Sequence, residues 1–302
     1  MKRREFISQS IGSALAVGAV AYSVNNQESQ AAQTNYDLVA IKGGTAEAMF
    51  DKGISAFGGI STFVKKGQTV VVKPNIGWDV PPERAANTHP ALVKRIVQQC
   101  YQAGAKTVYV FDNTCDNWKK CYATSGIEKA ASDAGAKVVS GAFEKYYHPV
   151  QIKYGQTLKE AKVHELILNS DVFINVPILK VHSSGGITAA MKNLMGVVWD
   201  RRFWHSNNLH QCIADFATYC KPTLNVIDAY NIMKRNGPRG VSVDDVENLK
   251  SMIISKDIVA SDAASAKLLG IEPDKINYIK IADDMKVGRK DLDKLNINRI
   301  KL

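Results

Sequence analysis

The sequence predicts a mainly parallel, three-layer α/β fold, in which a sheet carries helices on both faces. Short apolar segments alternate along the chain with segments of helical period, as expected for strands joined by crossover helices. Several helical segments end at a glycine, which commonly terminates helices. The chain has 302 residues, 45% of them hydrophobic, enough to build one large core.

The strands are expected where apolar residues cluster between turn-forming residues. In chain order they are 36–41, 68–72, 107–111, 137–140, 172–176, 223–227, 252–255 and 276–281. The tyrosine-rich segment 143–157 has no clear period, and we interpret it as a hairpin or an excursion from the sheet. The tail after Asp283 is charged and has no strong pattern.

The helices are expected where apolar residues recur every three or four positions. In chain order they are 46–57, 89–102, 126–134, 158–168, 188–195, 208–219 and 261–269. The second begins at His89-Pro90, ends before Gly104 and carries the apolar stripe Val93, Ile96 and Val97. Because no repeat or low-complexity linker interrupts residues 32–302, we expect a single domain.

Residues 1–31 are predicted to be a twin-arginine signal peptide. Arg3-Arg4 precedes a weakly hydrophobic segment, and the small residues ending at Ala31 suit a signal peptidase. The apolar segment is shorter than the roughly 20 residues of a membrane span. We therefore expect an exported protein, periplasmic in a Gram-negative cell, with no membrane span in the mature chain. An uncleaved signal that anchors the protein to the membrane is the alternative.

The charge favours an acidic ligand, partner or surface. The chain carries +10, and the mature form +9, because residues 1–31 hold three basic and two acidic residues. No nucleic-acid recognition motif accompanies this charge, so we expect no nucleic-acid partner. A small anionic ligand is the expected partner, and solvated surface lysines are the alternative explanation.

The cysteines do not form a pattern typical of a cluster. No C-x-x-C motif occurs among the five, so no cysteine-ligated iron–sulfur cluster is expected within the chain. The sequence leaves open whether Cys115 and Cys121 pair. The twin-arginine route carries folded proteins, which makes a metal ion or redox cofactor possible without identifying it.

Polar residues follow several predicted strands at their carboxyl ends. These residues are Lys73, Asn75, Asp112, Asn113, Lys180, His182 and Asp228. In a parallel sheet the carboxyl ends share one edge, so we expect these side chains to converge on a site there. Ordinary loop chemistry would account for any single strand end.

The segment after the strand at 172–176 is the strongest candidate for chemistry. Lys180 and His182 would lie on one face of an extended strand. Lysine there could neutralise a carboxylate or phosphate or act as a base, and histidine could be an acid, a base or a metal ligand. The alternative is that His182 merely hydrogen-bonds a loop carbonyl.

The small residues at 183–188 lead into the helix that carries Lys192 and Asn193. Free backbone N–H groups at such a start can hold an anion, and Thr188 as an N-cap is the alternative. Neither the Walker motif nor G-x-G-x-x-G occurs. We expect Asp262 to cap its own helix in preference to reaching the strand ends.

Aromatic and basic residues alternate at 199–205, where they could cover a planar or acidic ligand or simply pack at the surface. The segment ends at His205. No local zinc motif is present, so the identity of any metal is unknown.

Taken in order, these motifs resemble the family called domain of unknown function 362. The matching pieces are Lys73-Pro74-Asn75, His89-Pro90, Asp112-Asn113, Lys180-Val181-His182, Lys192-Asn193-Leu194-Met195-Gly196, His205, residues 236–240 and residues 254–262. Some relatives carry ferredoxin-type cluster domains, so the resemblance implies redox surroundings and a ferredoxin-like or envelope redox partner. The chain has Lys234-Arg235 where relatives usually have Glu-Gly, which fits an anionic ligand better than a bound cation.

These observations favour an exported enzyme that acts on or with a small anionic ligand or cofactor, by redox or carbon–acid chemistry. The predicted catalytic residues are Lys180, His182, Lys192 and His205. The predicted ligand-binding residues are Lys73, Asn75, Asp112, Asn113, Thr188 and Asn193. The alternative is a non-catalytic anion-binding or assembly protein of an envelope redox system.

Overall fold

A mixed sheet of ten strands forms the centre of the described part of the protein, residues 35–302 of a computed structural model. The predicted signal at residues 1–31 lies outside the described residues. The strands are β1 (Leu38–Lys42), β2 (Thr69–Pro74), β3 (Thr107–Val110), β4 (Lys137–Val138), β5 (Tyr147–Gln151), β6 (Glu160–His164), β7 (Val172–Val176), β8 (Ile178–His182), β9 (Gly186–Thr188), β10 (Leu224–Met233), β11 (Val246–Ser255) and β12 (Ile297–Lys301).

The helices lie between these strands. They are α1 (Ala46–Ser55), α2 (Pro90–Gln102), α3 (Trp118–Thr124), α4 (Ile127–Asp133), α5 (Glu165–Asn169), α6 (Ala190–Asn193), α7 (Arg202–Ser206), α8 (Leu209–Tyr219), α9 (Ile258–Leu268) and α10 (Asn277–Asp284). None of the helices between residues 35 and 302 combines the length and apolarity needed to cross a membrane.

Most strand pairs of the large sheet are parallel. The order is β12-β1-β11-β10-β7-β2-β3-β4, and β8 extends from β10 to pair with β9. From β10 to β4 every neighbour is parallel, while β11 runs antiparallel to β1 and β10. The parallel run places the carboxyl ends of β2, β3, β7 and β10 at one edge, which confirms the predicted α/β class.

The sheet separates two cores, as a three-layer fold requires. Val70 and Val72 of β2 pack into one core with α1, α2 and α4, and Val71 packs into the other with α6, α8, α9 and α10. Neighbouring residues of a strand point to opposite faces, so a strand covered on both faces is apolar at most of its positions. This explains the run of valines in β2.

Two predicted elements were wrong, and α3, α7, β8, β9 and β12 were not predicted. Residues 158–168, predicted as a helix, form β6 and the short α5, because β6 pairs antiparallel with β5 in a separate two-stranded sheet. Residues 276–281, predicted as a strand, belong to α10, which buries Tyr278, Ile279 and Ala282 on one face. The charged tail supplies β12, parallel to β1 at the edge of the sheet.

The cysteines are free thiols. All five lie in the described part of the chain, and Cys115 is exposed while Cys121 is buried. The two are therefore unpaired in this structure.

Candidate functional site

A cavity of about 420 Å³ lies beyond the carboxyl ends of β2, β3 and β8. All ten residues proposed from the sequence line it: Lys73, Asn75, Asp112, Asn113, Lys180, His182, Thr188, Lys192, Asn193 and His205. The predicted convergence of strand ends is therefore present for all of the named strand-end residues except Asp228, which does not line the cavity and accepts from the His89 N–H at 2.7 Å. The individual roles of these residues remain predictions.

A buried ion pair joins β2 to the residue that follows β3. Nζ of Lys73 lies 2.8 Å from Oδ1 of Asp112, and both side chains are almost fully buried. The same nitrogen donates to Oδ1 of Asn193 and to the Pro74 carbonyl, each at 2.9 Å. Burial lowers the pKa of Lys73, and the Asp112 carboxylate opposes that shift. With three acceptors around its ammonium, Lys73 is suited to organising the site.

Gly196 allows this pair to form. A Cβ atom at this position would overlap both the Asp112 carboxylate and the Lys73 ammonium. The backbone N–H of Ile76 donates to the other Asp112 oxygen at 2.7 Å, which fixes the carboxylate. The glycine of the Lys-Asn-Leu-x-Gly motif is therefore needed for close packing against the ion pair.

A chain of side-chain amides connects the cavity to the sheet. Nδ2 of Asn75 donates to Oδ1 of Asn193 at 2.9 Å, and Nδ2 of Asn193 donates to Oδ1 of Asn175 at 2.9 Å. Nδ2 of Asn175 then donates to Oδ1 of Asn225 at 3.0 Å. Since each amide is oriented by its neighbour, the chain fixes α6 against β2, β7 and β10. Sequence reasoning missed Asn175 and Asn225, whose signal was an amide within an otherwise apolar strand.

Lys180 is buried among uncharged acceptors. Its Nζ donates to the Ala86 carbonyl at 2.5 Å and to Oδ1 of Asn75 at 3.1 Å. Burial lowers the pKa of Lys180 to about 7, with Lys192 and Lys73 adding to the shift. A large fraction of this amine is therefore neutral near pH 7 and can accept a proton.

Lys192 reaches the cavity from α6 with little compensation for its charge. The residue is 8% exposed, and its Nζ contacts Sδ of Met195 at 3.5 Å. No carboxylate within residues 35–302 lies in ion-pair distance of it. Burial lowers the pKa of Lys192 to about 8, and the Arg201 guanidinium adds to this shift. An anion beside Nζ would satisfy this ammonium.

The two histidines differ in how they can act. Nδ1 of His182 accepts from the Ser184 N–H at 3.2 Å, so the neutral ring carries its proton on Nε2. Burial, with Lys192 and Lys180 nearby, lowers the pKa of His182 to about 3. His182 is therefore a neutral hydrogen-bond donor at neutral pH. His205 is exposed on α7, and partial burial lowers its pKa.

Three expectations about Asp262 and the start of α6 were wrong. The Asp262 carboxylate accepts from the Ala190 N–H at 2.5 Å and the Met191 N–H at 3.1 Å, so those donors are not free to hold an anion. Asp262 lies inside α9, whose N-cap is Asp257. Thr188 is not an N-cap either, because it belongs to β9 and pairs with Lys180 of β8.

Several lining residues were not proposed individually. Arg201 donates to the carbonyls of Asn113 at 2.9 Å and Thr114 at 2.7 Å, and Arg202 and the exposed Cys115 also line the cavity. The two arginines lie in the basic and aromatic segment 199–205, which was the available signal. Together with Lys73, Lys180 and Lys192 they face one lining carboxylate, Asp112. Basic side chains therefore outnumber acidic ones in the lining of the cavity.

A metal site is not evident in the described part of the chain. Within residues 35–302, no group of three or more His, Cys, Asp or Glu side chains could hold a metal ion.

The comparison with protein families identifies the chain. Residues 70–267 match the model described as Domain of unknown function (DUF362), and this match covers well over half of the sequence. The protein belongs to this family. The resemblance inferred from the motifs is thereby confirmed, and the matched region contains all ten candidate site residues.

Two known proteins are similar to this member of the family. The thylakoid-associated protein sll1697 of Synechocystis sp. is 23% identical over 228 residues, which are 73% of this chain and 68% of that protein. The lactate racemase apoprotein of Thermoanaerobacterium thermosaccharolyticum superposes with a TM-score of 0.50 at 10% identity. That match covers 76% of this chain and 56% of the solved one, so the chain spans little more than half the racemase. At this identity the likeness shows the α/β fold alone.

Proposed function

We propose that the protein is an enzyme that binds a small carboxylate-bearing anion and transfers a proton at a carbon of that anion. The observation that carries the proposal is the pair of buried amines in one cavity whose lining holds more basic than acidic side chains. Lys192 has no anionic partner within ion-pair distance among residues 35–302, and Lys180 is held among neutral acceptors. One lysine is suited to binding negative charge and the other to accepting a proton.

In this mechanism Lys192 and the arginines at 201 and 202 hold the anionic group. Lys180, with a pKa lowered to about 7 by burial, removes a proton as a general base. The Nε2–H of neutral His182 donates a hydrogen bond to the oxygen on which negative charge develops. Lys73 and Asp112 keep the amide chain in place, so Asn75 presents its oxygen to the Lys180 amine.

We also propose that the mature domain functions outside the cytoplasmic membrane. The twin-arginine pattern at Arg3-Arg4 supports export of the folded chain. The Synechocystis relative is named as thylakoid-associated, which supports a location at a membrane surface. A redox partner of ferredoxin type would fit this setting.

Deuterium exchange tests the reaction directly. The purified protein is incubated in D₂O with a panel of 2-hydroxy and 2-oxo carboxylates, and the loss of the proton signal next to the carboxyl or carbonyl group is followed by NMR. We expect exchange of at least one panel member to slow by about 10²-fold or more in Lys180→Met. The exposed Lys129→Met serves as the matched control and should exchange like the wild type.

The outcomes separate enzyme from binding protein. If carboxylates bind with no exchange, the non-catalytic anion-binding alternative is correct. If exchange occurs equally in a folded Lys180→Met variant, another group is the base. Circular dichroism verifies folding, and Lys180→Arg, which keeps the charge but cannot act as a base near pH 7, provides a second variant.

A further inference from the structure

A second and larger cavity, of about 950 Å³, opens beside the candidate site. We call it the outer groove; it is lined by Asn113, Glu144, Pro149 and residues 157–162 and 198–204. Asn113, Arg201 and Arg202 also line the smaller cavity. The two cavities therefore adjoin at these three residues, and a ligand longer than the inner site would extend into the outer groove.

The walls of the outer groove are fixed by backbone contacts. Val163 of β6 forms an antiparallel bridge with Val198, and the Trp199 N–H donates to the Lys162 carbonyl at 3.0 Å. Arg201 is held by the carbonyls of Asn113 and Thr114. The hairpin of β5 and β6 is thus attached to the segment 198–202, whose arginines line the inner cavity. A groove with such walls is preformed for a ligand.

The lining of the outer groove is suited to a flat apolar group. Phe203 is 40% exposed there, and the half-buried Trp199 packs against Tyr147 at a ring distance of 5.3 Å. Lys162 and Glu144 of the groove form an ion pair at 2.6 Å, and the Asp200 carboxylate accepts from the backbone N–H of Arg202 at 3.1 Å. Aromatic rings in such a lining favour stacking with a planar ring.

Arg202 is the charged group that remains available where the two cavities adjoin. Its guanidinium forms no ion pair with a carboxylate of residues 35–302. It can therefore contact the charged end of a ligand whose apolar end lies along Phe203.

We infer that the outer groove binds a planar aromatic group on the same anion whose carboxylate occupies the inner cavity. The inference rests on the proposed function, because it extends the substrate of that site from a small carboxylate to an aryl-substituted one. Lys192 and the arginines would hold the carboxylate end. Phe203 and Trp199 would contact the ring.

Isothermal titration with three probes tests the inference: acetate, 4-phenylbutyrate and 4-cyclohexylbutyrate. We expect the wild type to bind 4-phenylbutyrate at least about tenfold more tightly than acetate, and more tightly than the non-planar cyclohexyl compound. Phe203→Ala should remove most of that advantage and leave acetate binding unchanged. Phe143→Ala is the matched control, since Phe143 is similarly exposed but lies outside both cavities.

Each other result overturns a defined part of the account. Equal affinity for acetate and 4-phenylbutyrate, or an unchanged preference in Phe203→Ala, would refute the aromatic site while leaving the proposed carboxylate site intact. Equal affinity for the phenyl and cyclohexyl compounds would refute the requirement for planarity. Failure of all three probes to bind would refute the inference, while titration of the 2-hydroxy and 2-oxo carboxylates tests the proposed carboxylate site separately.

Discussion

Nζ of Lys73 and Oδ1 of Asp112 lie 2.8 Å apart, although Lys73 lies in β2 and Asp112 lies just beyond β3. This buried pair links the ends of β2 and β3 and orients Asn193 of α6 through the same ammonium. The position of α6, which also carries Lys192, therefore depends on the pair.

Breaking the pair should destabilise the protein strongly. Lys73→Met leaves the Asp112 carboxylate buried without its cation, and we expect a loss of about 3–5 kcal/mol in the free energy of unfolding. The double variant Lys73→Met/Asp112→Leu should recover part of this loss. Urea unfolding measures both, and Lys129→Met in the exposed pair with Asp133 should leave the midpoint unchanged. A single variant as stable as the wild type would contradict the assigned role.

The lowered pKa of Lys180 predicts a specific pH dependence of stability. Between about pH 7 and the unfolded pKa near 10.5, the unfolded state binds more protons at this residue than the native state. The contribution of Lys180 to the free energy of unfolding therefore rises with pH across that window, by up to about 1.4 kcal/mol per pH unit. Unfolding of wild type and Lys180→Met at pH 7, 8, 9 and 10 should show their difference moving in favour of the wild type. A constant difference would mean that the lysine keeps an ordinary pKa.

The carboxylate of Asp262 should control anion affinity through α6. Asn at this position cannot accept both the Ala190 and the Met191 N–H, and an unsatisfied buried donor costs about 1–3 kcal/mol of stability. We expect Asp262→Asn to weaken carboxylate binding, measured by titration calorimetry. Asp257→Ala removes the N-cap of α9 and the contacts of Asp257 with Arg289 but leaves the donors of α6 satisfied, so it should lose stability and retain affinity. Equal affinities in both variants would show that α6 keeps its position without Asp262.

His182 should remain neutral throughout the physiological range. Burial and the neighbouring lysines lower its pKa to about 3, and Nδ1 accepts from the Ser184 N–H. Long-range ¹H–¹⁵N NMR should therefore report the Nε2–H tautomer unchanged from pH 5 to 8. The same residue in urea-unfolded protein should titrate near pH 6.5. A titration within that range in the folded protein would restore His182 as an acid–base candidate.

The sequence was most informative where local pattern and burial agree. The valine run of β2 and the polar residues at its carboxyl end predicted both the strand and the position of Lys73, because a parallel strand covered on both faces is mostly apolar before its carboxyl end. The apolar residues at 276–281 led to the wrong prediction of a strand. In the structure they belong to a helix that packs Tyr278 and Ile279 against the core.

Long-range contacts could not be predicted from the sequence. Nothing local indicates that Asp262 of α9 caps α6, or that Asn225 of β10 continues the amide chain from Asn175. Arg201 likewise needs the fold to bring it to the carbonyls of Asn113 and Thr114. These contacts depend on which elements are neighbours, and short-range periodicity carries no such information.

The most direct measurement is calorimetric titration of small carboxylates into wild type, Lys192→Met and Lys129→Met. The account predicts that at least one carboxylate binds the wild type, that its affinity falls at least about tenfold in Lys192→Met, and that it is unchanged in Lys129→Met. Equal affinity in Lys192→Met and wild type, or no binding to the wild type, would contradict the claim that this cavity is an anion site.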